Sequence, residues 1–484
     1  MPNVLAQPDS QTAALKPLCV DLDGTLVKSD TLVDSLLVMV RSRPLLLSRL
    51  PGRLLHGKAA LKAFVTGHIE LDVPHLPYNR KLLQFLQKER SAGRRLYLTT
   101  GADQRLAQRV ANHLGIFNGV LGSDGAINLT GNRKLSSLQG QFGNSGFAYI
   151  GNGVADLPLL SDASETMVAN PSRGLRSRMR KLGITPTQVF EERTNPLGSF
   201  ITALRTHQWA KNLLIFLPPL LAHNRSIATL GQALLAFLSF CCVASSTYMV
   251  NDLLDIEADR RSSTKRRRPF ASGDLSPSAG LIASVLLISA GFAIARLLPI
   301  DFLLWLLFYS ASTLLYSMYL KSVPLVDVLV LSGLYTLRLL AGGAATETPI
   351  SHWLAGFAIF LFFSLAIVKR FAELENVRLA GNQLKNGRGY LMSDIEQIRS
   401  FGTASAFAAV VVFANYISSQ DVVKLYHHPR YLWLIVPLMI LWLCRVWLLA
   451  TRGELDEDPV AFALTDAASL AMGAAVFVIV LTAI

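Results

Sequence analysis

Charge is scarce in this chain, and acid is scarcer than base. Only 16% of the 484 residues are Asp, Glu, Lys or Arg, against 51% apolar residues, a balance too apolar for an average soluble enzyme. Cysteine is also rare. Cys19, Cys241, Cys242 and Cys444 sit in apolar runs without metal-ligand spacing, so they read as buried thiols. The first apolar run, around Leu18–Leu22, is too short for a secretory signal and is broken by aspartates. No RNA- or DNA-binding motif and no tandem repeat is visible, so the net charge of +13 is not read as a nucleic-acid footprint.

The apolar excess is uneven. Residues 1–200 read as a mixed soluble sequence, and residues 201–484 as a polytopic membrane protein. Apolar segments near 209–223, 229–250, 276–298, 301–320, 324–341, 351–372, 400–419, 431–450 and 462–484 predict about nine membrane helices, the first short and carrying Pro218–Pro219. Basic residues gather in alternate loops: Arg260 to Arg268, Lys321, Lys369, Arg370, Lys385, Arg388 and Arg452 on one side, little beyond Arg225, Lys424 and Arg430 on the other. The positive-inside rule then places the charged loops and the N-terminal domain in the cytoplasm, in a multi-pass protein of the inner (plasma) membrane.

In the N-terminal half, strand-like runs ("PLCVDL", "RRLYLTT", "GVLGS", "GFAYIGN", "TMVAN") alternate with helical patterns such as "DQRLAQRVANHLG". That alternation predicts a Rossmann-like parallel α/β sheet over residues 1–170, with a helical cap insertion at about 30–90. Residues 171–200 are polar, basic and rich in Pro and Gly, and read as a linker with a short helix around Leu175–Lys181.

"VDLDGTL" (20–26) puts Asp21 and Asp23 at the end of the first strand, where ligands bind in sheets of this kind. One carboxylate there can attack phosphorus, and the second can handle the leaving-group proton. The plainer alternative is a turn whose aspartates cap a helix. The motif resembles the first motif of the haloacid dehalogenase-like (HAD) phosphohydrolases, and the order continues. Thr100 in "LYLTTGAD" matches the phosphate-binding hydroxyl, with Thr99 as the other choice, and Lys134 in "GNRKLSS" matches the cationic motif. "YIGNGVADLPLL" (149–160) matches the fourth, which normally carries two acidic magnesium ligands. Here the pair is Asn152 and Asp156, so the resemblance implies magnesium on Asp21, Asp23, Asn152 and Asp156 with one charge fewer. A working phosphatase and a degenerate regulatory domain both stay open.

"NDLLDIEADRRSSTKRRRPFASG" (251–273) sets four acidic and six basic residues beside apolar segments. Asn251, Asp255 and Asp259 fall at i, i+4 and i+8, on one helical face with Asp252, and Glu257 turns away. Like charges on one face need a cation, and hard oxygen ligands suit magnesium bound with phosphates, with Lys265 to Arg268 gripping the outer phosphate oxygens. A solvated loop with chance ion pairs is the bland alternative.

The pattern NDxxDxxxD resembles the first aspartate-rich motif of UbiA-type membrane prenyltransferases. "RTHQWAKNLLIF" (205–216), "LRLLAGGAAT" (337–346) and "KRFAEL" (369–374) look closer to the phosphoribosyltransferases of that superfamily, which act on decaprenyl phosphate. After the sixth helix, Lys369, Arg370 and Glu373 stand where aromatic prenyltransferases show a second acidic motif. The resemblance implies a transferase that joins phosphoribosyl diphosphate to a polyprenyl phosphate, with Asp252 and Asp255 catalytic and magnesium on Asp252, Asp255 and Asp259. Substrate contacts are expected from Arg205, Lys211, Asn251, Lys265, Arg268, Tyr316, Lys321, Arg338, Lys369, Arg370 and Glu373. For Arg338 the bland reading is a pair with Asp327 or a carbonyl. The HAD-like half is expected to dephosphorylate the lipid product. A polyprenyl transfer to an aromatic acceptor, and a transporter of a phosphorylated metabolite, are the alternatives.

Overall fold

Six short parallel strands form one sheet in the N-terminal half: β1 (Leu18–Val20), β2 (Leu96–Asp103), β3 (Gly119–Ser123), β4 (Ala148–Gly151), β5 (Glu165–Ala169) and β6 (Gln188–Phe190). The computed structural model describes residues 15–192, 195–224, 226–379, 389–455 and 459–484; Arg225, Lys385 and Arg388 lie outside these. The strand order is β3-β2-β1-β4-β5-β6, the doubly wound arrangement in which the chain reverses direction across the sheet next to β1. Val20 is in register with Leu98 on one side and Ile150 on the other.

Alternation along β1 explains why the sheet is buried on both faces. Leu18 and Val20 join Leu96, Leu98, Ala148 and Ile150 in one core, while Cys19 joins Tyr149 and Val168 in the core on the opposite face. All three β1 residues are fully buried, and burial pushes the Cys19 thiol up to about 12. The expected insertion holds the helices Thr31–Ser42, Leu50–Leu55 and Lys58–His68, followed by Arg80–Ser91 before β2. Asp30 caps the first of these, accepting hydrogen bonds from the backbone N–H groups of Leu32 and Val33.

The 171–200 stretch is more than a linker. Its helix runs Arg173–Lys181 with Ser172 as N-cap, and β6 adds a sixth strand beside β5. The sheet gains an apolar anchor there, because Phe190 is buried in the core.

Grouped by packing, the described residues of Met1–Ala203 and Val250–Ile282 form one unit, and Leu204–Met249 with Ala283–Ile484 forms the other. The aspartate-rich segment therefore packs with the α/β domain. In the second unit and its continuations, seven described helices are long and apolar enough to cross a membrane: Ile227–Leu254, Pro277–Ala295, Ile300–Met318, Val326–Ala345, His352–Leu379, Met392–Ile417 and Pro429–Thr451. Two of the nine expected spans are corrected. Around Pro218–Pro219 the chain forms a 3₁₀ run, Thr206–Phe216, and a short helix, Leu217–Leu221, because proline lacks the N–H that a continuous helix needs. The last segment is split into Pro459–Thr465 and Ala467–Ala483, and 17 residues reach only about 25 Å at 1.5 Å each. Gly342 of "AGGAAT" serves close packing, since a Cβ there would lie 2.3 Å from the Ile215 carbonyl oxygen.

Candidate active sites

The first site lies where β1 and β4 end, at the reversal point of the sheet. Asp21, directly after β1, accepts a hydrogen bond from the Lys134 ammonium at 2.8 Å and one from the Thr25 hydroxyl at 3.2 Å. Lys134 also donates to the Tyr149 hydroxyl at 3.0 Å and lies 3.6 Å from Asp156. Asp156 accepts from Tyr149 on one oxygen and from the backbone N–H groups of Asn152 and Gly153 on the other. Asn152 lies over the Gly24 turn: φ there is +74°, and a Cβ would meet the Asn152 amide nitrogen at 2.1 Å.

Asp23 stands apart from this cluster. It accepts the Thr31 backbone N–H at 2.8 Å and faces a cleft of about 60 Å³ lined also by Asp30, Lys62 and Asp103. Burial, with Asp30 adding to it, pushes Asp23 up to about 7; burial likewise raises Asp21 to about 6 against the pull of Lys134. Burial disfavours the Lys134 ammonium, yet Asp21 and Asp156 hold its pKa above that of an ordinary lysine. Thr100 is fully buried, its hydroxyl accepting the Ala102 N–H. Sequence reasoning missed Lys62, which the insertion brings to the cleft, donating to the Gly101 carbonyl and to Asn128. Nothing in its local sequence marks it.

The second site is the aspartate-rich segment. The helix Ile227–Leu254 ends just after Asn251 and Asp252, and Ile256–Arg261 begins after Asp255. The Asp255 and Asp259 N–H groups still bond four residues back, so the spacing of the acids stays helical. One guanidinium nitrogen of Arg268 bridges Asp252 at 3.0 Å and Asp259 at 2.8 Å. Burial raises the Asp259 pKa, with Arg268 opposing it. Asp255 instead pairs with Arg41, and Glu257 faces away to accept the Asp72 N–H. Lys265 stands in the turn Lys265–Arg267 that leads to Arg268. Beneath this, Arg260 is buried against Asp34 at 2.9 Å and Ser29 at 3.2 Å.

Both oxygen-donor sets have the chemistry that magnesium takes, but each pairs here with a side-chain cation. Among the described residues no three His, Cys, Asp or Glu side chains converge as a metal cage.

In the helical unit, Arg338 donates to Asn212 at 2.8 Å, to the Leu334 carbonyl and to the Tyr309 hydroxyl at 3.0 Å, with its guanidinium over the Tyr309 and Tyr335 rings. The expected alternative partner, Asp327, is taken by Arg370 at 2.5 Å. Arg370 also holds Glu373 through two short bonds and the Tyr316 hydroxyl, and Tyr390 donates to Asp327. Three residues expected at substrate, Arg370, Glu373 and Tyr316, thus form one network around the buried Arg370–Asp327 pair. Lys211 lies over the Tyr335 ring, near Arg338, and Arg205 over the Tyr248 ring. Lys321 sits in the turn Leu320–Ser322, and Lys369 on the helix His352–Leu379 beside Arg370.

The UbiA prenyltransferase family matches residues 212–472, more than half of the chain. The chain belongs to the UbiA prenyltransferase family. This UbiA-family protein is 39% identical to an uncharacterized protein, y4nM, of Sinorhizobium fredii, over 95% of this chain and 89% of that one. It is 32% identical to the decaprenyl-phosphate phosphoribosyltransferase of Mycolicibacterium smegmatis, over 47% of this chain and 72% of that enzyme. Among solved structures, a UbiA homolog from Archaeoglobus fulgidus bound to GPP and Mg2+ aligns with 58% of this chain and 99% of its own, at 18% identity and a TM-score of 0.46. The UbiA-family region takes in the second site and most of the helical unit, and the α/β domain with the first site precedes it.

Proposed function

We propose that this UbiA-family protein transfers a 5-phosphoribosyl group from phosphoribosyl diphosphate to a long-chain polyprenyl phosphate at the cytoplasmic face of the inner membrane. The observation that carries the reading is the Asp252–Arg268–Asp259 cluster, buried carboxylates held beside a cation at the end of an apolar helix. A lipid phosphate oxygen forms a bond to the ribose C1, and the bond from C1 to the diphosphate breaks, releasing pyrophosphate. Asp252, Asp255 and Asp259 would hold magnesium, whose charge favours departure of the diphosphate. Arg268 and Lys265 bind outlying phosphate oxygens, and Asn251 orients the donor. Lys211, Arg205, Lys321 and Arg338 are the cations proposed to draw in the lipid phosphate.

The donor assignment draws on two supports. The 32%-identical relative bears the name of a decaprenyl-phosphate phosphoribosyltransferase. After the sixth expected helix, Lys369, Arg370 and Glu373 stand in place of an acidic group that would hold a second metal, and Arg370 pairs with Glu373 and with Asp327 of the preceding helix.

The α/β domain is proposed to remove the 5-phosphate from the product. The Asp21 carboxylate attacks phosphorus and Asp23 protonates the departing ribose oxygen; water then hydrolyses the acyl phosphate. Lys134 and Thr100 steady the phosphate, and Asn152 and Asp156, with Asp21 and Asp23, would hold magnesium. Incubation with labelled phosphoribosyl diphosphate and decaprenyl phosphate tests the reading: a lipid-linked ribose supports it, and its absence under every metal condition overturns it.

A further inference from the structure

The Thr31–Ser42 helix belongs to the α/β domain, yet it carries two residues that reach the aspartate-rich segment. Asp34 takes Arg260 in a fully buried pair, which fixes the segment. Arg41 is of another kind. It donates to Asp255 and to the Leu254 carbonyl through a single guanidinium nitrogen, and its side chain remains 46% exposed. Among the described residues its other two nitrogens make no protein hydrogen bond. The scaffolding pairs of this contact are complete without it, because Arg261 holds Asp72 and Glu257 holds the Asp72 N–H.

We propose that Arg41 is a diphosphate-binding residue of the transferase, supplied by the α/β domain. The inference rests on the reading of the aspartate-rich segment as the diphosphate site. Arg41 neutralises Asp255 when no substrate is present, and its two remaining nitrogens form the planar fork that matches phosphate oxygens. The α/β domain is then part of the transferase, whatever it hydrolyses.

The test is calorimetric titration of the full-length protein with inorganic pyrophosphate and Mg2+, in an Asp23→Asn background that disables the other proposed metal site. Arg41→Gln is expected to weaken pyrophosphate binding about tenfold or more, as loss of a charge-assisted phosphate contact does. Arg41→Glu should abolish it, and Arg41→Lys, which keeps the charge but not the fork, should recover it only in part, with thermal unfolding unchanged in all three. Pyrophosphate affinity that Arg41→Gln leaves within about threefold, or no binding by the parent protein, overturns the proposal. Lipid-linked ribose formed with unaltered pyrophosphate binding sinks Arg41 alone. Weakened binding with no ribosyl lipid formed sinks the donor assignment and leaves Arg41 in place.

Discussion

Asp34 and Arg260 are 226 positions apart and form an ion pair at 2.9 Å, with side chains 0% and 3% exposed. Such a pair stabilises little relative to apolar packing, but breaking it strands a buried charge. Asp34→Ala is therefore expected to cost about 3–5 kcal/mol locally. Amide hydrogen exchange over residues 256–261 should read this as faster opening. Protection equal to wild type would show that the pair does not hold the segment.

Arg268 keeps two buried carboxylates apart from mutual repulsion. Arg268→Gln should reduce transfer about 10- to 100-fold, the usual loss when a partner of metal-binding groups is removed. The pH profile gives a second readout. Burial already raises Asp259, and removing Arg268 removes a charge that lowers it, so the rising limb of activity should move to higher pH.

Asn152 is the one uncharged member of the magnesium-binding set proposed for the α/β domain. Asn152→Asp adds a charge without changing shape and should lower the Mg2+ concentration needed for phosphate release. Phosphate release with an unchanged Mg2+ requirement would place Asn152 outside the metal's reach.

Asn212 accepts from Arg338 while its own amide donates to the Cys241 sulfur at 3.3 Å. Asn212→Leu leaves a buried guanidinium short of an acceptor and should destabilise the helical unit by about 1–3 kcal/mol or more, measured by unfolding in micelles.

The parts legible in the sequence share a local signature. Strands β1 to β5 are each announced by an apolar run next to a turn, Asp21 and Asp156 by motifs that follow strands, and Lys134 by a basic motif at the start of a helix. The seven long spans show as apolar stretches with few charges. What stayed hidden depends on tertiary partners. β6 is three residues long and gains its strand character from β5, so its polar surroundings read as linker. Arg370 gave no sign of its counter-ion, Asp327, because that residue lies on another helix. Arg41 and Asp34 had no signal at all, since their partners lie more than 200 positions away.

The most direct test of the central claim is mass analysis of the lipid that the purified full-length protein makes from phosphoribosyl diphosphate and decaprenyl phosphate. The account predicts decaprenyl phosphate bearing ribose, its loss in Asp252→Ala, and a product that keeps its 5-phosphate in Asp21→Asn. Unmodified decaprenyl phosphate with wild-type protein and any divalent metal would contradict it.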